Sequence, residues 1–262
     1  MKSFYRSKLL GSRAVADGVF RLEFAWPGRA PKAGQFFMIR PERGSAFLPR
    51  PVSAESSGNG KLRFLVAVRG RGTRELAALS AGESAALSGP LGNCWEDFLP
   101  PEAPGGGGGA VALVAGGVGI APLSSLAACF PGREFDYYLG VKTAFKDDAR
   151  EAAFLGEAAL HRRRLLVAAE DGGAKYRGPV TRFFDPAGYS AVFACGPEGM
   201  LRAAAAKCRE AAVPCAVSLE RRMACGVGAC LGCTVATGGG NRRCCADGPI
   251  FKAEEIVFDT QQ

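Results

Sequence analysis

The chain has 262 residues, which is long for one hydrophobic core and sufficient for two domains with a smaller appendage. Hydrophobic residues make up 48% of the sequence and charged residues 22%, and no apolar run approaches the roughly 18 residues that a membrane span requires. The net charge of +8 does not indicate nucleic-acid binding, because the basic residues are scattered and form no stripe with interleaved aromatic residues.

Short strands punctuated by glycine and proline dominate the first part of the chain. The pattern predicts strands over residues 19–24, 35–40 and 62–68, which are rich in aromatic and β-branched side chains. Turn residues separate these segments at short intervals, as is typical of an antiparallel barrel or sandwich. One short helix is predicted after Gly72, with Thr73 as its N-cap.

Two segments of this part have the composition of an anion site. The first places a guanidinium, a rigid turn and a hydroxyl side by side, in Arg50, Pro51, Val52 and Ser53. Such a tetrapeptide suits a phosphate on one side and a ring system on the other, although a plain structural turn would have the same sequence. The second is a glycine-rich loop that leads into the predicted helix, with Gly70, Gly72 and Thr73. Its free backbone N–H groups could hold a pyrophosphate.

A glycine-rich break over residues 100–109 predicts a domain boundary, and the pattern changes after it. Strands are predicted over residues 110–115, 135–141, 165–168 and 191–194. Helices are predicted between and after them, over residues 120–130, 148–163 and 198–212. This alternation predicts a parallel, doubly wound sheet.

Two turns of the predicted sheet lie where such sheets bind their ligands, at the carboxyl ends of strands. The first contains Gly117 and Gly119 and begins like a dinucleotide fingerprint, but Pro122 stands where the third glycine belongs. The second contains Cys195, Gly196 and Pro197. The thiol of Cys195 could face a ligand or serve as a small buried side chain.

Cysteines near the C-terminal end have the spacing of an iron–sulfur site. Cys225, Cys230 and Cys233 follow the Cys-x4-Cys-x2-Cys pattern of plant-type 2Fe–2S ligation. The glycines between them allow a backbone to wrap closely round an inorganic cluster. The fourth ligand is Cys244 or Cys245, and spacing alone does not separate these neighbours.

Zinc and disulfides are the alternatives for these cysteines. Structural zinc sites usually combine two Cys-x2-Cys pairs, and the second half of this motif has no such pair. A disulfide framework is typical of small secreted domains, whereas the ten cysteines here are spread along the chain and the N-terminus shows no signal-peptide pattern. We therefore expect a reducing, cytoplasmic location.

The motifs in this order resemble those of the ferredoxin reductase superfamily. The ordered set is RPVS, GRGT, GGVGIAP, CGPEGM and the cysteine motif. With MACGVGACLGC and CADGPIF at its end, the chain is similar over essentially its whole length to the electron-transfer subunits of type B dihydroorotate dehydrogenases. In that family the fourth ligand directly precedes an x-Asp-Gly-Pro sequence, which favours Cys245 over Cys244.

The resemblance implies three domains: an antiparallel FAD-binding β-barrel over residues 1–103, an NAD-binding α/β domain over 104–217 and a small 2Fe–2S domain over 218–262. It implies that FAD is held by Arg50, Pro51, Val52, Ser53, Gly70, Gly72 and Thr73. It places NAD near Gly117, Gly119, Cys195, Gly196 and Pro197, and the cluster on Cys225, Cys230, Cys233 and Cys245.

The implied function is electron transfer in pyrimidine biosynthesis. A nicotinamide carries two electrons as a hydride, an iron–sulfur cluster carries one, and a flavin connects the two. The implied partner is an FMN-containing TIM-barrel subunit that oxidises dihydroorotate, in a heterotetramer with two copies of each chain. No catalytic acid–base pair is expected here. Two alternatives are a reductase subunit serving ferredoxin, hydrogenase or sulfide chemistry, and a zinc-stabilised binding module without flavin.

Overall fold

The computed structural model describes residues 3–101 and 109–258, and its first part is a closed six-stranded antiparallel barrel. The strands pair in the order β1-β2-β5-β4-β3-β6, so that no edge is left open. They are β1 Ser3–Ala16, β2 Val19–Ala25, β3 Phe36–Pro41, β4 Arg50–Gly58, β5 Lys61–Ala67 and β6 Ser84–Leu91. The predicted barrel is confirmed.

Aromatic side chains fill the barrel. Phe24, Phe37 and Phe64 are fully buried and meet edge to face, with ring centroids 5.5 Å apart for Phe37 and Phe64. Trp26 adds a further edge-to-face contact with Phe37 at 5.0 Å. Burying one such ring stabilises the fold by about 2–3 kcal/mol, so the alternating strand pattern specifies this interior.

The short helix α1 Arg71–Ala77 follows β5, but its predicted cap is wrong. Gly70 is the N-cap, and Thr73 lies three residues inside. The Thr73 hydroxyl accepts hydrogen bonds from the N–H groups of Arg69 at 2.9 Å and Gly70 at 3.2 Å. Threonine therefore stabilises the helix start by reaching back to the loop, as the third residue of a capping box does.

The second part contains a seven-stranded sheet with the order β10-β9-β8-β7-β11-β12-β15. Its strands are β7 Val111–Gly116, β8 Phe135–Val141, β9 Arg164–Ala169, β10 Tyr176–Arg177, β11 Ala191–Cys195, β12 Cys215–Ser218 and β15 Ile250–Lys252. All pairs are parallel except β12 with β15. The chain winds outward from β7 in both directions, so the ends of β7 and β11 form a topological switch point.

Helices α2 Ile120–Cys129, α3 Asp148–Leu155 and α4 Glu198–Glu210 connect these strands. The prediction of one helix over residues 148–163 is wrong, because α3 ends at Leu155 and the next residue, Gly156, has a φ of +53°. A short 3-10 turn, Gly156–Ala159, follows it. Glycine is the residue that adopts this conformation without strain, and the regular helix ends there.

The cysteine-rich segment is small and packs against both other parts. It contains the hairpin β13 Thr234–Thr237 and β14 Gly240–Arg243, followed by the helical turn α5 Cys244–Asp247. The chain then returns through β15 to pair with β12 of the parallel sheet. The predicted domain boundary at 103/104 lies outside the described residues and stays a prediction. The boundary at 217/218 also stays a prediction, because β15 of the third part pairs with β12 of the second.

Barrel and sheet share a hydrophobic core. Val15 and Leu65 of the barrel belong to the same buried cluster as β7 and α2. Trp95, just after the barrel, stacks on Phe193 with ring centroids 5.2 Å apart, and its indole N–H donates to the carbonyl of Pro122 at 3.0 Å. The two parts therefore hold a fixed relative position. None of the helices in the described ranges is long and apolar enough to cross a bilayer.

Candidate functional site: two ligand loops, a cationic cleft and a thiol loop

The two predicted flavin motifs lie against each other. Pro51 on β4 is paired with Met38 on β3, and Arg50 is paired with Ile39. The Arg50 side chain crosses the backbone of Gly72, where a Cβ atom would overlap its guanidinium. Glycine at 72 thus lets the arginine reach across the loop, and the residues present form a cradle with guanidinium and N–H donors for an anionic cofactor.

The two predicted nucleotide loops also meet. Residues Gly117–Gly119 form a 3-10 turn between β7 and α2, and Gly117 has a φ of +54°. A Cβ atom at Gly119 would overlap the carbonyl of Cys195, and one at Gly196 would lie 2.8 Å from the Cα of Gly116. The carboxyl ends of β7 and β11 are therefore in close backbone contact, with Pro197 at the start of α4.

The side chain of Cys195 belongs to the hydrophobic core. Only 4% of the residue is exposed, and burial raises the pKa of its thiol to about 12. A thiol with this pKa is protonated at neutral pH and unreactive. Of the two roles considered for Cys195 in the sequence, the structure places its thiol in the buried one, so that only its backbone lies near the loop.

A cleft of about 290 Å³ lies between the barrel and the carboxyl ends of β7 and β8. It contains the edge of the Gly117 turn, the β1–β2 hairpin and the start of α3. Four basic side chains line it: Arg69, Lys142, Lys146 and Arg150. Asp17 is the one acidic residue among the lining residues. This excess of positive charge suits a ligand with phosphate groups.

A larger cavity, of about 760 Å³, lies at the opposite end of β11 and β12. It is lined by α4 and by the segment after β15, and none of the predicted site residues contributes to it. Basic and acidic side chains line it together, including Arg202, Lys252, Asp97 and Glu254. Parallel sheets bind ligands at the carboxyl ends of their strands, and of these two cavities the smaller, cationic cleft lies at such ends.

We call residues 225–233 the thiol loop. Together with Cys245 it brings four cysteines together in two pairs. Cys225 contacts Cys230, and Cys233 contacts Cys245. A 2Fe–2S cluster has two irons that each take two protein ligands, so this pairing fits it. In the part of the chain that the structure describes, no three Cys, His, Asp or Glu side chains converge as a single metal ion requires.

Backbone N–H groups surround these sulfur atoms. The N–H of Gly228 donates to the Cys245 sulfur at 3.1 Å, that of Cys245 to Cys233 at 3.4 Å, and that of Val227 to Cys225 at 3.4 Å. The donation from Val227 is the main cause that lowers the pKa of Cys225 to about 6, with further N–H groups contributing. The Cys225 sulfur is thus prepared for thiolate, the form in which cysteine binds metal, whereas burial and the neighbouring Cys233 raise the pKa of Cys245 to about 12.

Cys244 and Cys245 point to different surroundings. Cys244 is fully buried, and its thiol donates a hydrogen bond to the carbonyl of Leu219 at 3.2 Å. Cys245 lies beside Cys233 and under the N–H of Gly228. The structure therefore brings Cys245 into the thiol loop and turns Cys244 into the core.

The thiol loop is seated on the barrel next to the predicted flavin strand. A Cβ atom at Gly226 would lie 2.6 Å from Cγ of Met38 and 3.2 Å from a methyl group of Leu91. Met38 is buried and pairs across the sheet with Pro51. Met38 thus lies between the backbone of the thiol loop and the β4 segment that contains Arg50 and Ser53.

Sequence reasoning missed the cleft cations and the Met38 contact. A signal for the cations was present, because Lys142 directly follows a predicted buried strand and Lys146 and Arg150 come soon after. No comparable signal existed for Met38, whose contact with Gly226 joins residues far apart in the chain.

Comparison with known proteins agrees with this arrangement. Residues 220–257 match the iron-sulfur cluster binding domain of dihydroorotate dehydrogenase B. The dihydroorotate dehydrogenase B (NAD(+)) electron transfer subunit of Clostridium acetobutylicum is 35% identical over 260 residues, which cover 99% of this chain and all of that protein. The protein of the same name from Caldanaerobacter subterraneus subsp. tengcongensis is 36% identical and covers 97% of this chain and 98% of its own length.

Solved structures show the same fold. A structure of the NADH-dependent reduced ferredoxin-NADP oxidoreductase, described for flavin-based electron bifurcation, superimposes with a TM-score of 0.78 at 29% identity. It covers 97% of this chain and 91% of its own. A ferredoxin NADP+ reductase from Neisseria gonorrhoeae, with bound FAD and NADP, has a TM-score of 0.62 at 18% identity. It covers 79% of this chain and 91% of its own.

These features define an oxidoreductase with the ferredoxin reductase type of FAD- and NAD-binding fold and an added iron–sulfur domain. The match to the iron–sulfur model and the full-length relatives identify it further. The chain belongs to the family of dihydroorotate dehydrogenase B (NAD(+)) electron transfer subunits. The resemblance and the fold class expected from the sequence are confirmed. The iron–sulfur match also argues against the zinc-stabilised module.

Proposed function

We propose that this chain carries electrons between NAD(H) and a dihydroorotate-oxidising partner, through FAD and a 2Fe–2S cluster, in pyrimidine (UMP) biosynthesis. The observation that carries the proposal is the packing of the thiol loop at Gly226 onto Met38, directly across from Pro51 of the predicted flavin strand. Family membership supplies the reaction class. When bound, the flavin joins two-electron hydride chemistry to the one-electron chemistry of the cluster.

The residues of the chain bind and orient these groups. Arg50 and the N–H groups of the loop with Gly70, Gly72 and Thr73 would hold the FAD pyrophosphate, and Pro51, Val52 and Ser53 would lie along its ring system. Lys142 and Lys146 of the cationic cleft, beside the turn of Gly117 and Gly119, would hold the phosphates of NAD. Gly196 and Pro197 would border the nicotinamide end.

The proposed cluster ligands are Cys225, Cys230, Cys233 and Cys245. The N–H donations to three of these sulfurs support the set, because such bonds stabilise thiolate and tune cluster potential. The hydrogen bond of Cys244 to Leu219 supports leaving Cys244 out. No side chain of this chain is proposed as a catalytic acid or base.

The proposed partner is a separate FMN-containing TIM-barrel subunit that oxidises dihydroorotate, with two copies of each chain in a heterotetramer. The relatives are named as electron transfer subunits, which implies a catalytic partner. A cytoplasmic location is also proposed. All ten cysteines lie within the described residues and none of them forms a disulfide there, as a reducing compartment favours.

A second candidate is a reductase subunit that serves ferredoxin instead. The likeness to the NADH-dependent reduced ferredoxin-NADP oxidoreductase favours it, since that structure matches nearly the whole chain. The same binding residues would serve both functions, and only the partner would differ.

The test is purification of the chain without oxygen, alone and together with an FMN-containing, dihydroorotate-oxidising subunit. We expect a flavin and iron–sulfur spectrum from the chain, and orotate-dependent NADH oxidation only when both subunits are present. NADH-dependent ferredoxin reduction without any orotate-dependent activity would favour the second candidate. A colourless chain containing zinc would contradict both.

A further inference from the structure

Arg21 forms a cross-link between the barrel and the nucleotide domain. It lies on β2, and its guanidinium donates to both carboxylate oxygens of Glu55 on β4, each at 2.7 Å. The same guanidinium donates to the carbonyls of Ala153 at 2.5 Å and Phe154 at 3.0 Å. These carbonyls belong to the last turn of α3, where backbone acceptors lack partners within the helix.

This cross-link is buried. The Glu55 side chain is 2% exposed and that of Arg21 is 17% exposed. Bidentate arginine–carboxylate pairs have a fixed geometry, and a cation at the C-terminal end of a helix is favourable. A buried pair of this kind sets the relative position of its partners more strictly than a surface ion pair does.

Local backbone features make room for the cross-link. The pairing of β4 with β5 shifts register between Ala54 and Ser56, so Glu55 lies in a β-bulge, a feature that re-aims a side chain. At the other end, a Cβ atom at Gly156 would lie 2.5 Å from the Arg21 guanidinium. Both elements are thus shaped around the arginine.

The two ends of the cross-link belong to the two halves of the proposed site. Glu55 lies two residues beyond Ser53 on the strand that carries the flavin motif. Helix α3 contributes Arg150 and Phe154 to the wall of the cationic cleft. Arg21 therefore connects the strand proposed to hold the flavin with the helix that borders the nucleotide.

We propose that Arg21 is a positioning residue, which fixes the α3 wall of the nucleotide cleft relative to the flavin strand and so sets the geometry for hydride transfer. This inference rests on the proposed function. It goes beyond that function because Arg21 touches neither predicted cofactor motif. The shared hydrophobic core keeps the two domains joined without it, so its loss changes alignment and leaves the fold intact.

The test compares Arg21→Met/Glu55→Leu with Arg21→Lys and with the control Lys61→Ala. The double variant replaces a buried ion pair by apolar side chains of similar size, which avoids an unpaired buried charge. Arg21→Lys retains a cation but loses the bidentate geometry. Lys61 pairs with Glu23 on the barrel surface, away from α3.

Each variant is purified without oxygen and tested for flavin and iron content, the dissociation constant of NAD+ and the limiting rate of flavin reduction by NADH. Amide exchange over residues 148–155 is measured in parallel and needs no cofactor turnover. For the double variant we expect full flavin and iron, NAD+ binding weaker by about tenfold, reduction slower by about tenfold and faster exchange in α3. Arg21→Lys should fall in between, and Lys61→Ala should match the wild type.

The outcomes separate the two proposals. A double variant with wild-type NAD+ affinity, reduction rate and α3 exchange overturns the positioning role and leaves the proposed function intact. A wild-type chain whose flavin NADH does not reduce overturns the proposed function and the positioning role with it. If α3 exchange rises while binding and reduction stay unchanged, Arg21 is structural only and the positioning role is overturned.

Discussion

Adjacent residues can have different chemistry when the backbone turns between them, and Cys244 and Cys245 are an example. Both are buried, yet one thiol donates to Leu219 and the other accepts from Gly228. The spacing of the motif could not separate them, because a fourth ligand eleven or twelve residues after Cys233 is equally compatible with the pattern. The preference for Cys245 came from resemblance, and the side-chain directions now support it physically.

Replacing Cys245 by serine is expected to abolish the cluster and leave FAD in place, because the barrel that contains the flavin motifs has an interior hydrophobic core of its own. Iron content and the visible spectrum of the anaerobically purified chain measure this. The matched control is Cys244→Ser, which should keep iron at the wild-type level despite some loss of stability from its buried site. Iron loss in the control and not in Cys245→Ser would reverse the ligand assignment.

Replacing Arg50 by glutamine is expected to weaken FAD binding by about tenfold or more, since a hydrogen bond to a charged group is worth about 1.5–3 kcal/mol. Iron content should not change. Flavin content after gel filtration gives the result, with Lys61→Ala as a control on the same barrel. Equal flavin occupancy in the variant and the wild type would remove Arg50 from the site.

At the scale of elements, the sequence predicted whether a segment is a helix or a strand better than it predicted the residues at which the element begins and ends. The strands that became β7, β8 and β11 were predicted within one residue because continuous apolar runs between turns allow few alternatives. The start of α1 was misplaced because Thr73 caps from inside the helix, and the end of α3 was misplaced because Gly156 interrupts an otherwise helical pattern. Both errors concern backbone conformation that tertiary contacts select.

The thiol loop depends on Gly226, where a side chain would meet Met38 in a backbone region with a φ of +69°. We expect Gly226→Ala to lower iron content severely, because both the conformation and the contact resist a Cβ atom. Gly239→Ala is the matched control, since a Cβ atom there meets no neighbour within 4 Å. Iron and flavin content decide the outcome, and an iron-replete Gly226→Ala chain would contradict the proposed packing.

The parallel sheet contains a buried carboxylate that makes it sensitive to acid. Asp136 at the start of β8 is fully buried and accepts from Arg163 at 2.9 and 2.6 Å and from Tyr189 at 2.8 Å. Burial alone would raise the pKa of Asp136, but the bonds from Arg163 and Tyr189 hold it below the ordinary value. Its stabilising effect is therefore complete above the ordinary pKa and is lost as pH falls through the lower folded value.

Asp136→Asn should destabilise the fold by about 2 kcal/mol at pH 7. This is less than for a fully buried ion pair, because the Arg163 side chain is partly exposed. The difference from the wild type should shrink as the pH falls below about 4. Denaturant unfolding at pH 7, 5 and 3.5 measures it. A difference that is constant over this range would show that the charge of Asp136 does not contribute.

At the scale of the whole molecule, the order of modules was predictable and their contacts were not. Each motif lies within a short segment, so its chemistry can be inferred from neighbours in sequence. The seating of Gly226 on Met38, the return of β15 to the sheet and the reach of Arg21 to α3 join residues separated by long stretches of chain. These contacts place the cysteine loop, the flavin strand and the nucleotide cleft in one body.

The most direct test of this account is an anaerobic reductive titration of the purified chain that counts the electrons it accepts. A chain with one flavin and one 2Fe–2S cluster should accept about three electrons, and the Cys245→Ser chain about two. An uptake of about two electrons by the wild-type chain, with zinc in place of iron, would contradict the claim that flavin and cluster act together.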